Sequence, residues 1–209
     1  MVITYHGGQA FRVSFGDLTL AFNPVSKESK LKTASFGADV VLITTKHPDM
    51  NGAEQASRGD KDAFVIDGPG AYEIKDVIVK GFQTESTYDN EERLNTVYLV
   101  DLEGMTICFA GALKSPSIGP EASEEVNQVD ILFVPIDGEG ELGPSDAYKL
   151  AVGLEAKVVI PMGAHMTAEH IKQFLKEGGS ESVKPVDKLT IKPKDVADKT
   201  GEIIVLDAQ

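Results

Sequence analysis

The chain has 209 residues, of which 42% are hydrophobic and 25% charged, and 33 acidic against 20 basic residues leave a net charge of −13. This is an ordinary globular composition with length for one well-filled core, so a single domain over residues 1–209 is expected. The negative charge repels phosphate backbones and anionic lipid surfaces, which argues against a nucleic-acid or membrane partner held by charge.

The opening Met1-Val2-Ile3-Thr4-Tyr5 lacks a basic segment followed by an apolar run, and no stretch reaches the roughly 18 apolar residues that span a bilayer. A cytoplasmic protein is expected. Val2–Tyr5, Phe11–Phe15 and Leu18–Phe22 are rich in β-branched and aromatic residues, with Gly16-Asp17 as a hairpin turn, so the chain begins as a β-meander. Asn23-Pro24 and Ser26–Lys32 read as a surface loop. Asp39–Thr44 is a buried strand that runs into the polar turn Thr45-Lys46-His47-Pro48-Asp49-Met50, and Asn51 is the expected N-cap of a short helix. His47 and Asp49 thus stand at the carboxyl end of a buried strand, a frequent place for active sites in layered α/β proteins.

Ala63–Asp67, Tyr72–Ile74 and Val77–Phe82 continue as strands, and the polar Thr84–Leu94 stretch reads as an exposed loop. Thr96–Leu102 and Met105–Ala110 form a hairpin through Glu103-Gly104, placing the lone Cys108 in a strand as a buried inert thiol. A polar helical stretch around Glu121–Asn127, a strand at Asp130–Val134 and a flexible loop at Gly138–Gly143 follow. Ala147, Leu150, Ala151 and Leu154 fall at helical spacing; Lys157–Pro161 is a strand; Thr167 caps a helix with Ile171, Phe174 and Leu175 on one face. Lys188–Lys192 and Glu202–Leu206 are the last expected strands. Meanders first, then strands alternating with helices, point to two sheets packed face to face with helices outside.

The ordered segments Ile3-Thr4-Tyr5, Asn23-Pro24, Val41 to Asn51, Asp67-Gly68-Pro69-Gly70, Phe109-Ala110-Gly111-Ala112 and Val159-Ile160-Pro161-Met162 resemble the metallo-β-lactamase-fold hydrolases. Within them the chain is most similar to the compact group of predicted zinc-dependent hydrolases. The resemblance implies a four-layer αβ/βα sandwich of two mixed sheets. It also implies a His-x-His-x-Asp-His motif, with an Asp and a His further on, because two ions about 3.5–4 Å apart need several ligands each to turn a water into hydroxide. Here the motif positions are Thr45, His47, Asp49 and Met50, and the two later ones are Ala112 and Gly163. Only His47 and Asp49 carry over.

With no multidentate set, zinc should bind weakly. His165 lies two residues beyond the vacant Gly163 and could substitute as a ligand; Lys46 beside the motif would weaken cation binding or hold an anion. His47 and Asp49 could equally be a hydrogen-bonded pair that stabilises the turn and caps the next helix. The expectation is therefore a degenerate, relict pocket at Thr45, Lys46, His47, Asp49, Met50, Ala112 and Gly163, without a resident metal: a non-catalytic descendant that binds a small molecule or protein, with homo-oligomers open. The alternative is a metal-dependent hydrolase with a shifted, mononuclear site at His47, Asp49 and His165, using zinc or another divalent metal. A third reading is metal-free acid–base work by His47 oriented by Asp49.

Overall fold

The structure, a computed structural model, describes residues 1–32, 34–57, 62–180 and 182–209. Strands β1 (Val2–Tyr5), β2 (Phe11–Phe15) and β3 (Leu18–Phe22) form the expected antiparallel meander. β4 (Val40–Leu42) and β5 (Phe64–Ile66) then add to β3 in parallel. β6 (Gly70–Ile74), β7 (Val77–Ser86), β8 (Arg93–Leu102) and β9 (Met105–Phe109) are a second antiparallel run. Helix α1 (Pro120–Glu125), β10 (Ile131–Pro135), α2 (Pro144–Gly153), β11 (Val158–Met162) and α3 (Ala168–Glu177) alternate after it. β12 (Leu189–Thr190), α4 (Pro193–Val196) and β13 (Glu202–Ile203) close the chain. One sheet has the order β12-β1-β2-β3-β4-β5 and the other β13-β11-β10-β9-β8-β7-β6, and both mix parallel and antiparallel pairs.

Alternation along the strands puts one face of each sheet into a shared core. Phe11 and Phe22 of the first sheet meet Phe109 and Phe133 of the second, with Phe11 and Phe133 edge to face at 4.7 Å and Phe22 and Phe109 stacked at 4.7 Å. The outer face of the seven-stranded sheet is covered by the helices, through Ala147, Leu150 and Ala151 of α2 and Phe174 and Leu175 of α3. Thr167 caps α3 as expected, its hydroxyl accepting from the His170 backbone N–H at 3.3 Å. The outer face of the six-stranded sheet has a thinner cover. There Ala38 and Ala56 let a loop and the 3₁₀ turn Ala53–Ala56 lie on Ala21, Val41 and Ile43, stitched by Ala38 N–H to the Ala56 carbonyl at 2.9 Å.

Several elements depart from expectation. The helix after the motif is that 3₁₀ turn, and Gly52, not Asn51, precedes it with no side-chain cap. The strand expected over Asp39–Thr44 is confined to Val40–Leu42. The supposed loop Thr84–Leu94 is strand at both ends: Gln83 to Ser86 pair with Thr96 to Arg93, leaving a tight turn at Tyr88–Asn90 in which Asp89 and Asn90 are left-handed. Gln83, Glu85 and Leu94 face solvent while Ser86, Asn95 and Thr96 are buried, so the polar composition reflects buried hydrogen bonding as much as exposure. Cys108 is buried, and burial pushes its thiol up to about 12.

Candidate functional site

The turn after β4 is fixed before any site chemistry enters. Asn23, directly after β3, accepts from the Thr44 backbone N–H at 2.9 Å and donates to Thr44 Oγ1 at 2.9 Å and to Gln9 Oε1 at 3.0 Å. Met50 and Asn51 N–H donate back to the His47 carbonyl, and Ser26 N–H reaches the Pro48 carbonyl. On the other side buried Asn95 of β8 accepts from Thr45 Oγ1 at 3.1 Å and from Ala112 N–H at 2.9 Å, and donates to the Ala110 carbonyl at 2.9 Å. One side chain therefore ties two of the motif positions, Thr45 and Ala112, to the second sheet.

Out of this frame His47 and Asp49 come together. Their Nδ1 and Oδ2 are 3.5 Å apart, and Asp89 Oδ2 lies 3.5 Å from His47 Nε2 on the opposite edge of the ring. The Asp49 backbone N–H donates to Nδ1 at 3.2 Å, so the neutral imidazole carries its proton on Nε2, toward Asp89. Asp49 caps no helix. Its carboxylate instead accepts from Ser29 Oγ and, at 2.7 Å, from the Tyr88 hydroxyl.

Tyr88, a residue expected on an exposed loop, is only 1% exposed. Its ring packs with Met50, Ala112 and Ala164 and lies near both His47, at 4.9 Å edge to face, and His165, at 6.4 Å stacked. Burial, and then the hydrogen bond and charge of Asp49, hold its hydroxyl far above the usual range, so it is a donor. The turn that delivers it is pinned by the Thr87 N–H to the Gly140 carbonyl at 3.0 Å and by Tyr88 N–H to Ser86 Oγ at 3.0 Å. Gly140 has φ +82 and lies so close to the Thr87 backbone that a Cβ could not be accommodated.

His165 reaches the same cleft from the loop after β11. Its backbone N–H donates to Asp137 Oδ2 at 2.8 Å, and its ring Nε2 is 3.8 Å from Glu139 Oε2. At Gly163, where the resemblance calls for a His, a Cβ would lie 2.8 Å from Asp137 Oδ2. Behind this loop Glu141, 6% exposed, accepts from Gln9 Nε2 at 2.5 Å and leaves Oε1 without a hydrogen-bond donor. Burial, followed by the charge of Asp137, raises its carboxyl well above 4.5. The Gly138–Gly143 segment is thus an inward-facing part of the site's support, not simply a flexible loop.

The residues singled out in the sequence separate into two groups. His47, Asp49 and His165 all line one cleft of about 270 Å³, together with Ser29, Tyr88 and Asp89. Thr45, Met50 and Ala112 are buried beneath it. Lys46 points away, Nζ 3.8 Å from Asp67 Oδ2, and does not line the cleft, so it neither burdens a cation there nor holds an anion there. His6 stacks on Phe36 and His170 joins the cap of α3. Sequence reasoning passed over Tyr88, Asp89, Asp137 and Glu141; the available signal was one aromatic residue in an otherwise polar run.

Two imidazoles and a carboxylate are suitable ligand types, but Thr45, Met50, Ala112 and Gly163 leave no paired-ion set. Nor are three donors already drawn in: among the described residues no group of three or more His, Cys, Asp or Glu side chains is arranged to hold a metal.

Two mixed sheets enclosing a common core, with the exit turn of β4 at the rim, define a known class. The chain belongs to the beta-lactamase superfamily, whose domain profile matches residues 2–163. A metal-dependent hydrolase of Bacillus velezensis is 27% identical over 195 residues, covering 78% of this chain and 84% of that protein. One from Bacillus licheniformis is 28% identical over 193 residues, covering 78% and 84%. A candidate Zn-dependent hydrolase of the metallo-beta-lactamase superfamily from Thermotoga maritima superposes with a TM-score of 0.77 at 27% identity, covering 100% of this chain and 99% of that one. A metallo hydrolase from Ignicoccus hospitalis shares the fold at a TM-score of 0.64 and 20% identity, over 91% of this chain and 99% of that one.

These relatives, which are named metal-dependent hydrolases, overturn the expectation of a non-catalytic, ligand-binding descendant. That expectation counted the empty positions of the paired-ion motif and gave too little weight to the donors left in the cleft. Among the described residues no helix is long and apolar enough to cross a membrane.

Proposed function

We propose that this protein is a metal-dependent hydrolase working from a single divalent ion held by His47, Asp49 and His165. The observation that carries this reading is that these three side chains, from two separate turns, line one cleft. A bound ion would supply a water acidified toward hydroxide near neutral pH. The remaining work falls to the chain's own groups. Ser29 and Tyr88 hold the Asp49 carboxylate in place, Asp89 faces His47 Nε2, and Asp137 anchors the backbone that carries His165. Glu28 and Asp89 on the cleft wall, with Lys30 as the basic residue there, favour a neutral or cationic substrate over a polyanion.

The test is a hydrolysis screen with neutral esters, thioesters, lactones and amides, run with and without chelator. Turnover that is abolished by chelator and restored by zinc, manganese or cobalt is expected. His47→Ala and Asp49→Asn should each lower it by at least about 100-fold, more than loss of a supporting residue costs. Turnover indifferent to chelator and to both substitutions would overturn the reading.

A further inference from the structure

We propose that Arg12, with Thr4, His6 and Ser14 around it, forms a binding site for a monocarboxylate on the outer face of the six-stranded sheet. None of these residues lines the cleft, so the site stands apart from the hydrolase reading. Its placement follows from strand alternation. Ile3 and Tyr5 of β1 and Phe11 and Val13 of β2 enter the inter-sheet core, so Thr4, Arg12 and Ser14 between and beside them stand on the other face. The register sets Arg12 opposite Thr4 on one side and Ala21 on the other, with Ser14 opposite Thr19. His6 continues the row beyond β1: its ring stacks on Phe36 at 4.4 Å, and its Nε2 lies 3.4 Å from Thr4 Oγ1.

Arg12 is only partly exposed, yet among the described residues it makes no ion pair and its buried Nε has no hydrogen-bond partner. Arg93, by contrast, spends its guanidinium on the Tyr88 and Lys46 carbonyls and on Glu91. With 33 acidic residues in the chain, acceptors are not scarce. Removing one edge of a guanidinium from water without a partner is unfavourable, and it leaves the charge less hydrated, so an anion at the outer edge gains more there than at a fully solvated arginine. Burial, and then the Arg12 charge, lower His6 from 6.5, which leaves the imidazole uncharged near neutral pH and Arg12 as the one cation of the cluster. A single charge matches a carboxylate, whereas a phosphate dianion would stay half-neutralised in the field of an acidic chain. The planar fork can take both carboxylate oxygens together, hydroxyls of Thr4 and Ser14 flank it, and the His6–Phe36 stack offers an aromatic surface to the body of the ligand.

The experiment titrates the full-length protein with benzoate, acetate and inorganic phosphate at neutral pH and constant ionic strength. Proton–nitrogen correlation spectra follow the Arg12 Nε–H and the backbone amides of Thr4, His6 and Ser14. Saturable shifts of these signals in the low millimolar range are expected with benzoate, with acetate weaker and phosphate weaker still. Arg12→Lys keeps the charge but loses the fork and should weaken benzoate about tenfold, and Arg12→Gln should abolish the saturation. Where a variant does not fold, saturation confined to these four residues in the wild type supports the site. No saturable shift with either carboxylate overturns the proposal, as does a benzoate affinity unchanged in both variants or shifts centred elsewhere. Phosphate binding more tightly than benzoate overturns the assignment to a monocarboxylate.

Discussion

Replacing Glu141 by Gln is expected to flatten the pH dependence of stability. Glu141 is buried, and burial together with Asp137, then Glu139, raises its carboxyl above 4.5 in the folded chain. Between 4.5 and that raised value the native state holds a proton that the unfolded chain has released. The unfolded state then binds fewer protons, and stability falls as pH rises, by at most about 1.4 kcal/mol per pH unit. The contribution is fully present below 4.5 and is lost as pH rises through the raised value. From pH 5 to 7 the ceiling is about 3 kcal/mol.

Glutamine carries no such proton. Its amide can donate to Asp137 while its carbonyl accepts from Gln9, so the buried network stays satisfied. His6 works in the opposite direction, lowered from 6.5 by burial and then by Arg12, but it is common to both proteins and cancels. Denaturant melts at pH 5, 6 and 7 measure the difference. The wild type should lose more stability than Glu141→Gln over that range, up to the ceiling of about 3 kcal/mol, read also in Tm at about 2–4 °C per kcal/mol for a chain of this size. Parallel stability profiles would refute the raised carboxyl.

Asn95→Ala should cost about 2–4 kcal/mol, because it orphans the Ala112 N–H and the Thr45 hydroxyl in a buried setting; urea denaturation measures it. Gly163→His, which would restore the residue type that the resemblance calls for, should instead destabilise by about 1–3 kcal/mol through the contact with Asp137, read as a lowered Tm. Phe133→Ala, at the centre of the inter-sheet aromatic cluster, should cost about 3–5 kcal/mol by the same assay. Thr167→Ala removes the cap of α3 and should cost about 1 kcal/mol, a small shift in urea midpoint with unchanged slope.

The sheets were legible because their chemistry is patterned: β1 and β2 alternate buried and partly exposed residues, β3 is a short, fully buried apolar run, and α2 repeats Ala147, Leu150 and Ala151 at helical spacing. The turn with His47 and Asp49 was legible because a buried strand runs straight into polar residues. What the composition concealed was polar burial. Ser86 read as a solvated loop residue and Asn95 carried no reading of its own, yet both are buried, Ser86 holding the Tyr88 N–H and Asn95 holding Thr45 and Ala112. Glu141 lies among glycines and acids, yet it is buried against Gln9 in a segment held by the close approach of Gly140 to Thr87 and by the Leu142 N–H to the Leu113 carbonyl. Tyr88 depends on both of these features, so no local pattern announces it. The helical layer expected outside the first sheet was replaced because alanines let a loop lie flat there.

The central claim is tested most directly by metal stoichiometry. Untagged wild type, His47→Ala and His165→Ala would be equilibrated with zinc, manganese or cobalt, dialysed and assayed by elemental analysis. The account predicts about one ion per wild-type chain, set by a single ligand group, and loss of that ion from both variants. Two ions per chain, or one that survives both substitutions, would contradict it, as would a wild type that retains none.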